Sequence, residues 1–151
     1  MTMVEPGYLR PQTIEPIPPE IMRTILDVCP GVSIDGACVE DTQLSDPVMG
    51  PGVSVWRGHA SVDEVQYRAA AGGALTALGM YLLDSGEVSF VLHVTAAKKA
   101  PMLSERKLSF DAGAVLEGAA SRYGPVSPLV DVSQLLDRNQ PFAFIGKPCD
   151  V

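Results

Sequence analysis

Nineteen residues from Arg68 to Gly86, RAAAGGALTALGMYLLDSG, limit the fold more than any other stretch of this chain. A double glycine, Gly72-Gly73, leads into about three helical turns carrying Leu75, Leu78, Leu82 and Leu83. Asp84-Ser85-Gly86 then offers a glycine for the left-handed position that ends helices. The stretch predicts a buried helix with an entrance of small residues. Without a β-carbon at Gly72 or Gly73, a ligand or a second backbone can come close, and the N–H groups of a first helical turn favour an anion such as a cofactor phosphate. Tight packing of the helix on a sheet accounts for the same two glycines, because they lack the full spacing of a phosphate-binding fingerprint.

The rest of the chain supplies strands for that helix. EVSFVLHV, from Glu87, is a near-continuous apolar run of the kind that is covered on both faces, and predicts a central strand over 88–95. VSVWR at 53–57 and 142–146 predict two further strands of the same sheet. Ser61-Val62-Asp63-Glu64 has the form of a capping box and predicts a helix start. Asp111 is placed to cap AGAVLEGAA, and 132–136 predicts a short helix. Residues 97–109, with Lys98, Lys99, Arg106 and Lys107, read as an exposed connection with an edge strand near Leu108. Alternating helices and apolar strands imply an α/β fold, a mixed and largely parallel sheet with flanking helices. Residues 1–19 hold five of the thirteen prolines and predict an extended arm ahead of one domain over 20–151. PEIMRTILDVC, from Pro19, reads as a helix closed by Pro30-Gly31, and Val32 to Gly52 as loop.

Composition excludes several classes. A net charge of −7 without any run of Lys or Arg opposes a nucleic-acid partner, which needs clustered cations. No apolar segment reaches the roughly 18 residues of a membrane span, and the first residues have neither the charge nor the apolar core of a leader, so a soluble, cytoplasmic protein is expected. Cys29, Cys38 and Cys149 are odd in number and far apart, which suits reduced thiols. His59 and His93 lie in different elements without metal-ligand spacing, and His93 in an apolar strand reads as a hydrogen-bonded core residue. Trp56 reads as core ahead of a ring for stacking. No Ser-His-Asp or paired-carboxylate spacing supports hydrolysis.

Five stretches, in order, resemble one family. They are CPGVSIDG from Cys29, the Gly58-x(9)-Arg68-x(3)-Gly72-Gly73 pattern, TALGMYLLDSGEVSFVLHV from Thr76, ASRYGPV from Ala120, and FIGKPCD from Phe144. Together they resemble the flavin-binding beta subunits of coenzyme F-420-reducing hydrogenases and formate dehydrogenases, over about residues 20–151. The resemblance implies a flavin-dependent oxidoreductase domain in which FAD exchanges electrons with an iron–sulfur centre and a deazaflavin or other acceptor. It also implies a redox partner protein or small-molecule acceptor, an oligomer as one outcome, and a domain shorter than the full family.

Under that resemblance the cofactor-binding candidates are Arg68, Gly72, Gly73, Ala74 and Thr76, with Ser121, Arg122 and Tyr123. The last three combine a hydroxyl, a guanidinium suited to phosphate and a ring able to stack on a flavin, though they equally suit a helix end. Cys149, after the last strand, is the candidate metal ligand or redox thiol, with Lys147 nearby to lower its pKa. One cysteine cannot hold a 4Fe–4S cluster, so a cluster requires cysteines beyond residue 151. Pro19, Met22 and Ile25 stand where relatives carry three cluster-binding cysteines ahead of Cys29-Pro30, which predicts that this cluster is lost. Ala70 and Ala71 stand where relatives have serines, leaving backbone N–H groups as donors. The competing expectation is a binding or interaction domain that kept the fold without the cofactor chemistry.

Overall fold

Proline and glycine spacing decides where the amino-terminal third of the chain can pair. The structure, a computed structural model, describes residues 2–34 and 44–147. β1 (Thr2–Val4) and β2 (Tyr8–Arg10) form an antiparallel ladder, closed by the Gly7 N–H donating to the Val4 carbonyl at 2.7 Å. Regular structure therefore occurs where the prolines predicted an extended arm. Pro6 and Gly7 fall in the turn, so neither removes a ladder donor. The chain divides into two compact units, Glu15–Gly58 and the combination of Met1–Ile14 with His59–Val151.

Within Glu15–Gly58, α1 (Pro19–Val28) starts at Pro19 as predicted, and β3 (Leu44–Asp46) pairs with β4 (Gly50–Gly52) around a turn. Asp46 Oδ1 accepts from the N–H groups of Val48 and Met49 in that turn, and these bonds lower its pKa below the ordinary carboxylate range. Residues 53–57 are not a strand, contrary to the expectation from their alternation. Val53, Val55 and Trp56 are exposed, and the Trp56 indole donates to Ser54 Oγ at 2.8 Å. Alternation alone makes no strand without a neighbouring backbone to bond, and Trp56 is not core.

From His59 onward the chain forms α2 (Asp63–Arg68), a 3-10 turn at Ala71–Gly73, α3 (Ala74–Asp84), β5 (Phe90–Ala97), β6 (Ala100–Ser109), α4 (Ala112–Glu117), α5 (Val132–Leu136) and β7 (Phe142–Phe144). The predicted capping box does not form. Val62, not Ser61, precedes α2, and the Glu64 carboxylate turns forward to Arg68 at 3.3 Å. Asp111 does cap α4, accepting from the Ala114 N–H at 2.8 Å, and Gly86 ends the chain past α3 with φ +74°.

The three-stranded sheet has the order β6-β5-β7. β5 runs parallel to β7, with Phe90 opposite Phe142, and antiparallel to β6, with His93 opposite Lys107. The sheet is mixed and flanked by helices, as expected, but its longer ladder is antiparallel. The segment read as a connection is β6, a hairpin partner of β5 whose charged residues suit an outer strand. Phe90 and Leu92 face Leu108, Leu129, Leu135, Phe142 and Phe144, and Phe90 stacks on Phe142 with centroids 5.0 Å apart. On the other face, α3 brings Gly79 against Val91, Val115 and Ile145. Phe90, Val91 and Leu92 are wholly buried. Each such side chain contributes about 1.5–3 kcal/mol relative to exposure, which makes β5 the spine of the unit.

Candidate functional site

Parallel strands leave their carboxyl ends free of the helices that connect them, and ligands of open α/β sheets sit there. At that end of β5 and β7 lies a cleft of about 370 Å³. Its floor is His93 and Val94 of β5 with Ile145, Gly146 and Lys147, which follow β7. One wall is Ala70, Ala71 and the start of α3 at Ala74, Leu75 and Thr76. The other is Val115, the segment Gly118–Ala120 after α4, and the loop carrying Ser121, Arg122, Tyr123 and Val126. The lining holds Arg122, Lys147 and His93 and no carboxylate among the described residues.

The backbone entering α3 is wound the left-handed way for three residues, with φ of +50° at Ala71, +71° at Gly72 and +76° at Gly73. Ala120, on the facing wall, also has positive φ, at +93°. Positive φ disfavours alanine, so surrounding contacts must hold both walls in place. One such contact is the Ala60 N–H donating to the Gly72 carbonyl at 2.7 Å. The winding turns Ala71 and Ala74 into the cleft and Gly73 away from it. Gly73 is buried, and a β-carbon there would lie 3.1 Å from Val65 Cγ1 and 3.2 Å from Ala60 Cβ.

Of the residues singled out from sequence, Ala74, Thr76, Ser121, Arg122 and Tyr123 share this cleft. Arg68, Gly72 and Gly73 do not line it: Arg68 sits on the surface with Glu64, and the glycines shape the wall from behind. Cys149 lies outside the described residues. The N–H groups of the first turn of α3 have no intrahelical acceptor, and they belong to the residues that form the wall.

Arg122 is held at two carbonyls of β6, those of Pro101 at 2.6 Å and Leu103 at 3.0 Å, while its Nε is buried without a partner. A buried guanidinium N–H left unpaired beside a cleft favours an anionic acceptor in that cleft. Tyr123 stands at the rim, 94% exposed. His93 is buried, its Nε2 2.8 Å from Ser109 Oγ, and burial followed by the charge of Lys107 lowers its pKa, opposed by a backbone hydrogen bond at Val94. It is thus the hydrogen-bonded histidine expected, and also cleft floor.

His93 and Gly118 were not singled out as ligand-facing from sequence, whereas Ile145–Lys147 were, as the strand end ahead of Cys149. The usable signal was the carboxyl-end rule applied to both strands together. His59 lies elsewhere, its Nδ1 2.8 Å from the Ala60 carbonyl. Among the described residues no three His, Cys, Asp or Glu side chains converge as a metal site, and no helix is long and apolar enough to cross a membrane.

Comparison with known proteins gives a family. Residues 55–134, more than half of the chain, match the family described as coenzyme F420 hydrogenase/dehydrogenase, beta subunit N-term. No curated protein matches. Among solved structures, a chain of the F420-reducing NiFe hydrogenase complex from Methanosarcina barkeri is similar at 20% identity with a TM-score of 0.44. The similarity covers 47% of this chain and 24% of that one, so this chain spans only part of that chain's length.

Proposed function

The chain belongs to the coenzyme F420 hydrogenase/dehydrogenase beta-subunit N-terminal family, and from that premise we propose that its cleft binds FAD within an oxidoreductase subunit. The observation that carries the proposal is the cleft lining among the described residues: Arg122 and Lys147, a buried Arg122 Nε–H without a partner, and no carboxylate, in a chain of net charge −7. A cavity of about 370 Å³ encloses part of a dinucleotide, and the residues present suit its phosphates.

When bound, FAD supplies hydride and one-electron chemistry. The chain's own residues bind and orient it. Arg122 and Lys147 attract the phosphates, and the first-turn N–H groups of α3 at Ala74, Leu75 and Thr76 lie on the same side as additional donors. Ala71, Ala74, Ala119 and Ala120 leave room for close approach, Val94, Val115 and Ile145 exclude water, and Tyr123 offers a ring for stacking. Electrons would then pass to a partner subunit or a small-molecule acceptor, the role that the word subunit in the family description suggests. The described residues do not fit an iron–sulfur centre, because Cys29 is the one cysteine among them.

The test compares FAD with riboflavin, which has the same ring system and no phosphate. Equilibrium dialysis of the chain should give saturable FAD binding, at least about tenfold tighter than riboflavin, a difference that one charge-assisted contact to phosphate can supply. Equal affinities would remove the anion-binding role of Arg122 and Lys147. Absence of saturable FAD binding by a folded chain would favour a binding or interaction domain without flavin.

A further inference from the structure

The floor of the cleft contains a titratable group that phosphate binding by Arg122 and Lys147 does not use. His93 is 5% exposed, and its partner Ser109 is wholly buried. The imidazole lies under Gly118, where a β-carbon would overlap Cε1 and come within 2.9 Å of Nδ1. The ring therefore packs directly against the backbone of Gly118 in the cleft wall, in the space that a side chain at that position would fill. Ser109 can donate to Nε2 of a neutral ring or accept from Nε2–H of a charged one, so the pair accommodates either protonation state by rotation of a hydroxyl.

We propose that His93 couples ligand binding in this cleft to proton uptake: an anionic ligand seated beside Arg122 and Lys147 draws one proton from solvent onto the imidazole, and Ser109 turns from donor to acceptor at Nε2. This rests on the cleft being a phosphate-binding site and adds a pH dependence that phosphate binding alone does not require.

The charges around the ring give the direction. From β6, Lys107 stands opposite His93 in register, and its ammonium is 3.1 Å from Glu117 of α4 and 2.7 Å from the Ala114 carbonyl. Arg122 from the loop and Lys147 after β7 line the same cleft, and α3 contributes only uncharged Ala74, Leu75 and Thr76. In the free cleft, burial and the Lys107 charge disfavour the charged ring. A bound phosphate brings negative charge to the cleft side of the ring, where it opposes the effect of burial and of Lys107. Binding should therefore strengthen as pH falls.

Calorimetric titration of the chain with FAD and, separately, with inorganic pyrophosphate, in two buffers of different protonation enthalpy, counts the protons. Net proton uptake is expected, up to about half a proton per ligand for a displacement of about one pKa unit, falling away at alkaline pH. NMR of the His93 ring should show it titrating at higher pH with ligand present. In His93→Gln the affinity should fall about tenfold at pH 6 and within about twofold at pH 8, tenfold being one unit of pKa displacement. Ser109→Ala, which removes the rotating hydroxyl, should reduce the uptake.

FAD or pyrophosphate binding without proton uptake, with an unchanged His93 titration, overturns the inference and leaves the phosphate site standing. Failure of both ligands to bind the folded chain overturns both. The proton count on the unaltered protein decides the matter even if a substitution at His93 prevents folding.

Discussion

A β-carbon on Gly73 would sit 3.1 Å from both Val65 Cγ1 and the Val65 carbonyl oxygen, in a residue whose φ is +76°. Two independent costs follow for any replacement. The left-handed conformation disfavours a side chain by about 1–2 kcal/mol, and crowding in a packed site costs typically about 1–3 kcal/mol. Gly73→Ala should therefore lower stability by about 2–5 kcal/mol in urea denaturation, and Gly73→Val by more, because its branched side chain meets Val65 and Ala60 together. FAD retention should fall only in step with the folded fraction. A Gly73→Val protein that is fully stable yet has lost FAD would return this glycine to the phosphate. From sequence the two roles were indistinguishable, since both need a missing β-carbon. What separates them is which atoms lie opposite, and Val65 and Ala60 reach Gly73 only through the fold. The Asp111 cap was legible because its acceptor and donor are three residues apart.

Among the elements, α4 links that cap to the cleft. It is six residues long, too short to persist without its end contacts and its packing, and it carries Val115 and leads into Gly118 above His93. Asp111→Ala removes the acceptor for the Ala114 N–H and should cost about 0.5–2 kcal/mol. The loss should be local. NMR shifts of His93 and the Lys107 region should change more than those of β7, and ligand affinity should weaken even where the protein remains folded. Uniform destabilisation without a change at His93 would argue against this coupling. The elements legible in sequence include β5, with three consecutive wholly buried residues, and α3, whose length and glycine end were readable although it is less buried than expected, with Gly79 its one buried residue and Leu75 and Leu78 exposed. β6 was missed because an outer strand with one bonded edge tolerates Glu105, Arg106 and Lys107, so its pattern resembles a loop. Residues 53–57 err the other way, having the alternation of a strand and exposed side chains.

At the scale of the molecule, five lining residues of the cleft were named from sequence, but its three basic side chains were not legible as neighbours because they come from separate elements: His93 on β5, Arg122 after α4 and Lys147 after β7. Nothing in the spacing of 93, 122 and 147 marks them as neighbours. Only the parallel pairing of β5 with β7 brings the strand ends together. Burial is similarly uneven along the chain. β5 is hydrogen-bonded on both sides and covered on both faces, whereas α1 has no buried residue and exposes Ile21, Met22, Ile25 and Leu26. An amide of β5 exchanges with solvent only when the sheet opens. An amide of α1 needs only the unwinding of a ten-residue helix, a length that is marginal in water on its own. Hydrogen–deuterium exchange should therefore be slowest over 90–95, at rates set by global unfolding, and within about tenfold of an unstructured peptide over 20–28. Added FAD should slow exchange at 74–76 and 118–123, which border the cleft, and leave 20–28 unchanged. Protection of 20–28 as strong as that of β5 in the isolated chain would mean that another surface covers the apolar side of α1, since no contact within that helix can supply so large an opening free energy.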